Sequence, residues 1–327
     1  MRLWIVLGGG LVATGLLAAT GQSSHNANPM AERDAKVLAI GPLNAHPVVA
    51  LTFDDVPAAG ALPAGQTRTQ IATTLAAELK TNHLGGTYGF VNAVKLEYDP
   101  DAQKALHVWV KAGMNVGSHT WSHISLTANT ANAFEQEIAQ NEPALTEYAS
   151  GLDWHWFRYP FLWEGDTLEK RRAVRSYLQQ HGYRVAQVSL DFEDYAWNEP
   201  YARCSAKQDV AAIAWLKQSY LDTATEYIRL GREEQLIAFG REIPNVLLLH
   251  ETAFTTLMLP QLLDLLRTEG FRFATLPDVE EDAAYARDPD AALKYGGTLP
   301  DQVMDAHKLK YPPVKPKPFD KLTSLCE

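Results

Sequence analysis

Val48-Val49-Ala50-Leu51-Thr52-Phe53-Asp54-Asp55-Val56-Pro57 is a short apolar run that stops abruptly at two carboxylates and a proline. An unbroken run of this length, rich in β-branched side chains, reads as a buried strand. Pro47–Phe53 is the first of seven such runs, followed by Thr87–Val91, Asn115–Ser118, His155–Arg158, Arg184–Leu190, Val246–His250 and Phe271–Thr275. The segments between them carry helical periodicity. Thr69–Lys80 sets Ile71, Leu75 and Leu79 on one face, and Asp101–Ala112, Asn132–Tyr148, Thr167–His181 and Leu257–Glu269 read the same way. Ala211–Leu230 is a longer helical insertion before the sixth strand. Gly113, Gly182 and Gly270 each follow a helical run, where a left-handed cap is expected.

Strands separated by helices of this length imply parallel pairing through right-handed crossovers. Seven such units suit either a barrel one strand short of eight or an open, doubly wound sheet. The polar residues favour the barrel. Asp54, Asp55, His119, Arg158, Asp191, Asp194 and His250 all fall at or just past the C-terminal end of a strand run. A barrel gathers all its strand ends on one face, whereas an open sheet would spread several of them away from its crevice. The expected architecture is therefore an α/β fold with a (β/α)7 barrel.

Residues 1–21 read as a secretory signal peptide or an N-terminal anchor: a basic start, an apolar stretch from Leu3 to Ala19, then the small residues Ala19-Thr20-Gly21. Residues 22–45 form a polar linker, 46–277 the main domain and 278–327 a C-terminal extension. Within that extension Tyr311-Pro312-Pro313-Val314-Lys315-Pro316-Lys317-Pro318 can only be an extended arm. The protein is expected to be exported, and to touch a membrane only if the apolar segment stays uncleaved. Cys204 and Cys326 are the two cysteines. They are either one bridge pinning the tail or two unrelated thiols, and the sequence leaves both open. A formal net charge of −10 argues against nucleic acid and anionic membrane surfaces as partners. Hydrophobic and charged contents of 46% and 21% are ordinary for a globular chain.

The chemistry begins with the carboxylate pair. Neighbouring strand residues point to opposite sides, yet a turn at the strand end can aim both Asp54 and Asp55 into one cleft, with Pro57 helping to fix it. The alternative is a pair that only caps the following helix. His119 and His123 are four apart in Ser118-His119-Thr120-Trp121-Ser122-His123, a spacing that sets both imidazoles on one side. With one carboxylate they make a two-histidine, one-carboxylate set for a divalent metal, with coordination positions left over for water and substrate. His83, His107, His155 and His181 lack partners at such spacing and read as surface or packing residues.

In order along the chain, Thr52–Pro57, Ser118–His123, Arg158–Phe161, Asp191–Tyr195 and Leu248–His250 resemble the five motifs of the NodB-homology polysaccharide deacetylases, carbohydrate esterase family 4. The resemblance runs from about Pro47 to Leu276. It implies a distorted (β/α)7 barrel, and an acetylated amino-sugar polymer as substrate: peptidoglycan, chitin-like material or an exopolysaccharide. It also implies roles. Asp55, His119 and His123 would hold a divalent metal, zinc or another ion. Asp54 would be the general base, oriented by Arg158. The backbone N–H of Phe161 would help form an oxyanion hole. His250 would be the general acid, with Asp194 holding its imidazole. The sequence departs from the family pattern at Val56, where glycine is usual, and at Tyr195, where tryptophan is usual; Trp197 lies close enough in sequence to fill the same space. Trp163 is read first as core, and second as a ring for stacking on a sugar.

Three other readings compete. One is a deacylase of a small amide or a lipid-linked sugar. Another is a non-haem Fe(II) oxygenase, since the same ligand trio suits iron, although it would have no use for Asp54, Arg158 or His250. The last is a catalytically inactive sugar-binding module, which the full set of proton-transfer residues argues against.

Overall fold

The structure, a computed structural model, describes residues 43–327; the segment read as signal or anchor, and linker residues 22–42, lie outside the described residues. Seven strands form one sheet: β1 (Val48–Val56), β2 (Tyr88–Val91), β3 (Asn115–Ser118), β4 (Trp156–Phe157), β5 (Arg184–Val185), β6 (Asn245–His250) and β7 (Arg272–Phe273). Every pairing is parallel, in the order β5-β4-β3-β2-β1-β6, with β7 alongside the start of β1. The sheet closes on itself beyond β5. Leu190 forms a parallel bridge with Leu247 of β6; its N–H donates to the Val246 carbonyl and its carbonyl accepts from Leu248 N–H. That one bridge turns an open path into a distorted barrel.

The expected fifth strand, Arg184–Leu190, is regular only over its first two residues. The chain leaves the β4 ladder early because its polar groups find other partners. Gln187 N–H donates to the Glu280 carboxylate at 2.7 Å, and Ser189 N–H to the Val246 carbonyl at 3.0 Å. The helices fall close to where periodicity places them, at Arg68–Thr81, Pro100–Lys111, Ala131–Tyr148, Leu168–Gln180 and Ala253–Thr268. The insertion before β6 is longer than expected, a 30-residue helix from Val210 to Phe239 that ends on Gly240 in the left-handed region. Gly113, Gly182 and Gly270 also have positive φ, at 87°, 75° and 84°, just past their helices. Among the described residues no helix is long and apolar enough to cross a membrane.

The segment after 277 is not simply an extended arm. It lacks regular structure over 309–318, but it also holds helices at Leu299–His307 and Phe319–Ser324. It packs within the same compact unit as the barrel. Leu299 and Val303 join an apolar cluster with Val246 and Leu276. Arg171, buried, reaches Asp288 at 2.6 Å and Glu164 at 3.2 Å, while Gln302 donates to Glu164 at 2.8 Å. Cys204 and Cys326 are bonded, with 5.2 Å between their Cα atoms. Arg203 caps the last helix by donating to the carbonyls of Leu322 and Leu325.

Candidate active site and metal centre

The two carboxylates share a cleft because β1 slips. Phe53 pairs with Gly89, but the next registered pair is Val56 with Val91, so β1 has one residue too many against β2. Asp55 takes up the excess with φ 63°. Both Asp54 and Asp55 therefore line the same cavity, while Val56 turns back into the core against β2. Val56 is fully buried and does not narrow the cleft.

His119 and His123 leave the end of β3 on a turn rather than a helix. Thr120 and His123 both have φ near 60°, and His123 N–H donates to Thr120 Oγ1 at 3.1 Å. The turn puts the two rings 4.9 Å apart. His119 Nδ1 lies 2.7 Å from the Arg158 carbonyl, which can only accept, so Nδ1 carries the proton and Nε2 keeps its lone pair. That Nε2 lies 3.7 Å from Asp55 Oδ1, and His123 Nε2 lies 3.4 Å from the same oxygen. One donor atom from each of Asp55, His119 and His123 falls within 4.8 Å of the others. Burial drives both imidazoles down to a pKa of about 4, so they are neutral ligands at pH 7. Burial works against charge on Asp55, but neighbouring cationic groups, His250 first, outweigh it and hold this carboxyl below its usual range. Two neutral imidazoles and a carboxylate fit zinc and similar divalent ions.

Asp54 sits beside this trio, its Oδ2 3.6 Å from His119 Nε2. Its other oxygen accepts from Arg158 at 3.1 Å. Arg158 is itself locked by the Ala186 carbonyl at 2.7 Å, by Thr52 Oγ1 at 3.2 Å and by the Phe90 ring beneath its guanidinium. Burial raises Asp54 to about 6, opposed by Arg158 and His250.

His250 ends β6 directly opposite Asp54 in the β1 register. Burial disfavours its imidazolium, but the adjacent Asp194 charge and hydrogen bond, with help from Asp55 and Asp54, raise it to about 10. Tyr195 lies against the same imidazole, ring centroids 5.0 Å apart, and is half exposed. Trp197 does not share that place; it is fully buried, with its Nε1 donating to Ser219 Oγ at 2.9 Å.

Phe161 adopts φ 62° in the turn after β4. The amides of Leu162 and Trp163 donate to Tyr159 and Pro160, at 3.0 and 3.1 Å. Among the described residues no acceptor takes the Phe161 N–H. The cleft has a volume of about 620 Å³. All eight residues singled out from the sequence belong to this one neighbourhood; of these, Asp54, Asp55, His119, His123, Phe161 and His250 line the cavity, and Arg158 and Asp194 stand behind it. Trp163 also lines it, which favours the second of its two readings. Sequence reasoning missed Gly60, Asn198, Glu199 and the Tyr295-Gly296-Gly297 stretch. Nothing in their spacing links them to the motifs, because they arrive through tertiary packing.

Residues 44–186 match the family model of the polysaccharide deacetylases. The matched span carries Asp54, Asp55, His119, His123, Arg158 and Phe161, and stops before Asp194 and His250. No curated protein matches the sequence. Among solved structures the chain is similar to a CE4 family pseudoenzyme from Bacillus anthracis, at 14% identity over 72% of this chain and 65% of that one, TM-score 0.49. It is also similar to the chitin deacetylase of Colletotrichum lindemuthianum, at 20% identity over 72% and 88% of the two chains, TM-score 0.47. A third is the peptidoglycan deacetylase PdaC of Bacillus subtilis, at 21% identity over 72% and 91%, TM-score 0.46. The chain spans just under two-thirds of the pseudoenzyme's length. Over residues 44–186 the chain is thus similar to the polysaccharide deacetylase family, and the five ordered motifs fold into one cleft.

Proposed function

We propose that the protein is a metal-dependent hydrolase that removes N-acetyl groups from an amino-sugar polymer outside the cytoplasm. The observation that carries this reading is the placement of Asp54, 3.6 Å from His119 Nε2 and beside a trio able to hold a cation, with an Asp194-supported His250 in the same cavity. That is a base, a metal cradle and an acid around a space for one amide.

Asp55, His119 and His123 would hold the ion, zinc being the first candidate. When bound, it would supply the Lewis acidity that lets water act as a nucleophile near neutral pH and polarises the acetyl carbonyl. Asp54, ionised above about pH 6 and aimed by Arg158, takes the proton of the attacking water. The uncommitted Phe161 N–H meets the developing oxyanion. His250 enters the reaction charged and gives its proton to the departing amine, which leaves poorly as an anion. Asp194 keeps the ring in place and favours its charged form.

Asp191, Glu193 and Glu199 in the lining suit a neutral or amine-bearing polymer better than an anionic one. The Cys204–Cys326 bond suits an oxidising compartment, and so supports export. The test is acetate release from acetylated chitin oligomers, peptidoglycan and exopolysaccharide, with chelation and metal add-back. Release that is abolished by chelator, restored by metal and lost in Asp54→Asn supports the reading. Chelator-resistant release, or full turnover by Asp54→Asn, overturns it.

A further inference from the structure

A row of aromatic rings leads away from the candidate metal centre. His123 and Phe161 have ring centroids 4.5 Å apart, Phe161 and Trp163 5.0 Å, and Trp163 and Tyr295 5.4 Å. These rings are not closed into the core. Phe161 is 51% exposed and Tyr295 60%, and all of them line the same cleft. Tyr295 comes from the C-terminal segment, far outside the span that carries the family match.

The outer end of the row is built rather than draped. A side chain at Gly296 would place its Cβ 1.6 Å from the Leu162 carbonyl oxygen, so only glycine lets the C-terminal segment press onto the Phe161–Trp163 turn. Leu293 N–H donates to the Gly165 carbonyl at 3.3 Å just before Tyr295, and Thr298 Oγ1 donates to Asp301 at 2.7 Å just after it. Arg171 anchors the approach through Asp288. Tyr295 is thus held in place before any ligand arrives, which lowers the ordering cost of binding. Lys294 sets its ammonium 5.1 Å from the Tyr295 ring and adds a hydrogen-bond donor at the outer end.

We infer that Phe161, Trp163 and Tyr295 form a track for further sugar rings of the polymer, running from the acetyl-cleaving centre to the C-terminal segment, with Tyr295 setting the preference for longer chains. The inference rests on the function proposed above, because it takes the acetylated sugar at the metal centre as the first in line. Pyranose rings offer apolar C–H faces and polar edges. A row of exposed aromatic faces with a few polar groups beside it matches that chemistry. Continuity of the row with the reaction site selects the occupant: the next sugars of the same chain.

The test compares N-acetylglucosamine dimer and hexamer as substrates for wild type, Tyr295→Ala and Tyr295→Phe. In wild type kcat/KM should rise with chain length. In Tyr295→Ala the hexamer-to-dimer ratio of kcat/KM should fall roughly three- to tenfold, the size of one aromatic contact, through KM. Tyr295→Phe keeps the ring and should keep the ratio. No chain-length preference in wild type, or an unchanged ratio in Tyr295→Ala, overturns the track. If wild type releases no acetate from either substrate, calorimetric titration with the two oligomers decides. A hexamer preference that depends on Tyr295 then upholds the track while the deacetylase reading fails; equal binding of dimer and hexamer sinks the track.

Discussion

Asp194 holds His250 at two points: Oδ1 lies 2.7 Å from the ring Nδ1, and Oδ2 accepts the His250 backbone N–H at 3.0 Å. Thr255 Oγ1 donates to the same Oδ2 at 2.5 Å. The carboxylate is fully buried, so its charge acts on the imidazole with little screening by water. The ring is thereby oriented, with Nε2 free for proton transfer, and kept charged through neutral pH.

Replacing Asp194 by Asn should therefore bring His250 down from about 10 towards its ordinary range. The acid-form requirement then fails at lower pH, and the basic limb of the kcat/KM profile moves down. Stability follows the same sign. A raised imidazole pKa stabilises the fold fully below the unfolded value near 6.5, and the contribution is lost as pH climbs to about 10. The stability gap between wild type and Asp194→Asn should be widest at pH 6 and shrink by pH 10 in urea unfolding. A gap that grows with pH would contradict the pairing.

Arg158 and Asp54 form an ion pair with side chains only 1% and 4% exposed. Arg158→Met strands a buried carboxylate, at a cost of about 3–5 kcal/mol if it stays charged. The carboxyl can escape by taking up a proton, so Asp54 should move above its present value of about 6, and the acid limb of activity should rise with it. The double variant Arg158→Met/Asp54→Asn should regain much of the lost stability in denaturant unfolding, though not turnover. No recovery would mean that Arg158 acts mainly through Thr52 and Ala186.

Metal content and turnover should come apart by position. His123→Ala removes one of three donors and should lower zinc affinity by more than the roughly 10–100-fold that loss of an outer partner costs. Asp54→Asn should hold metal nearly as well as wild type and still fail to release acetate. Calorimetric zinc titration beside an acetate assay reads both. Equal metal loss in the two variants would place Asp54 among the ligands.

The Cys204–Cys326 bond spans a sequence separation of 122 residues. Restricting so long a loop in the unfolded chain is worth up to about 5 kcal/mol, so Cys204→Ser/Cys326→Ser should show a large drop in unfolding midpoint. Lys317, on the arm that this bond holds, pairs with Glu193 at 3.2 Å and lies 4.2 Å from the Tyr227 ring. Glu193 directly precedes Asp194. Lys317→Met should lower kcat more than it raises KM, with Lys317→Arg restoring much of it; equal kcat in Lys317→Met would leave the arm a purely structural strap.

Much of this was legible in the sequence, for physical reasons. Each of the seven strands begins or ends within a few residues of where apolar, β-branched runs place it, because burial on both faces leaves little room for polar residues. The motif residues were legible because strand ends in a barrel converge. The truncation of β5 was not, since Glu280 and Val246 capture its backbone from far along the chain. The helix at Leu299–His307 had a readable start, Thr298 with Pro300 and Asp301 behind it, that the proline-rich stretch beyond overshadowed. Tyr295 could not be read at all: its place beside Trp163 depends on a glycine fitting against a carbonyl more than a hundred residues away.

The slip in β1 carries a consequence for anyone transplanting or redesigning this motif. Two identical side chains stand next to each other, and the turn of the peptide that joins them sets Asp55 against His123 while Asp54 stays on Arg158. Grafted onto a straight ladder, the same two letters would send one carboxylate into oil. The division of labour proposed for Asp54 and Asp55 depends on a dihedral angle, so the pair must be inherited together with its kink.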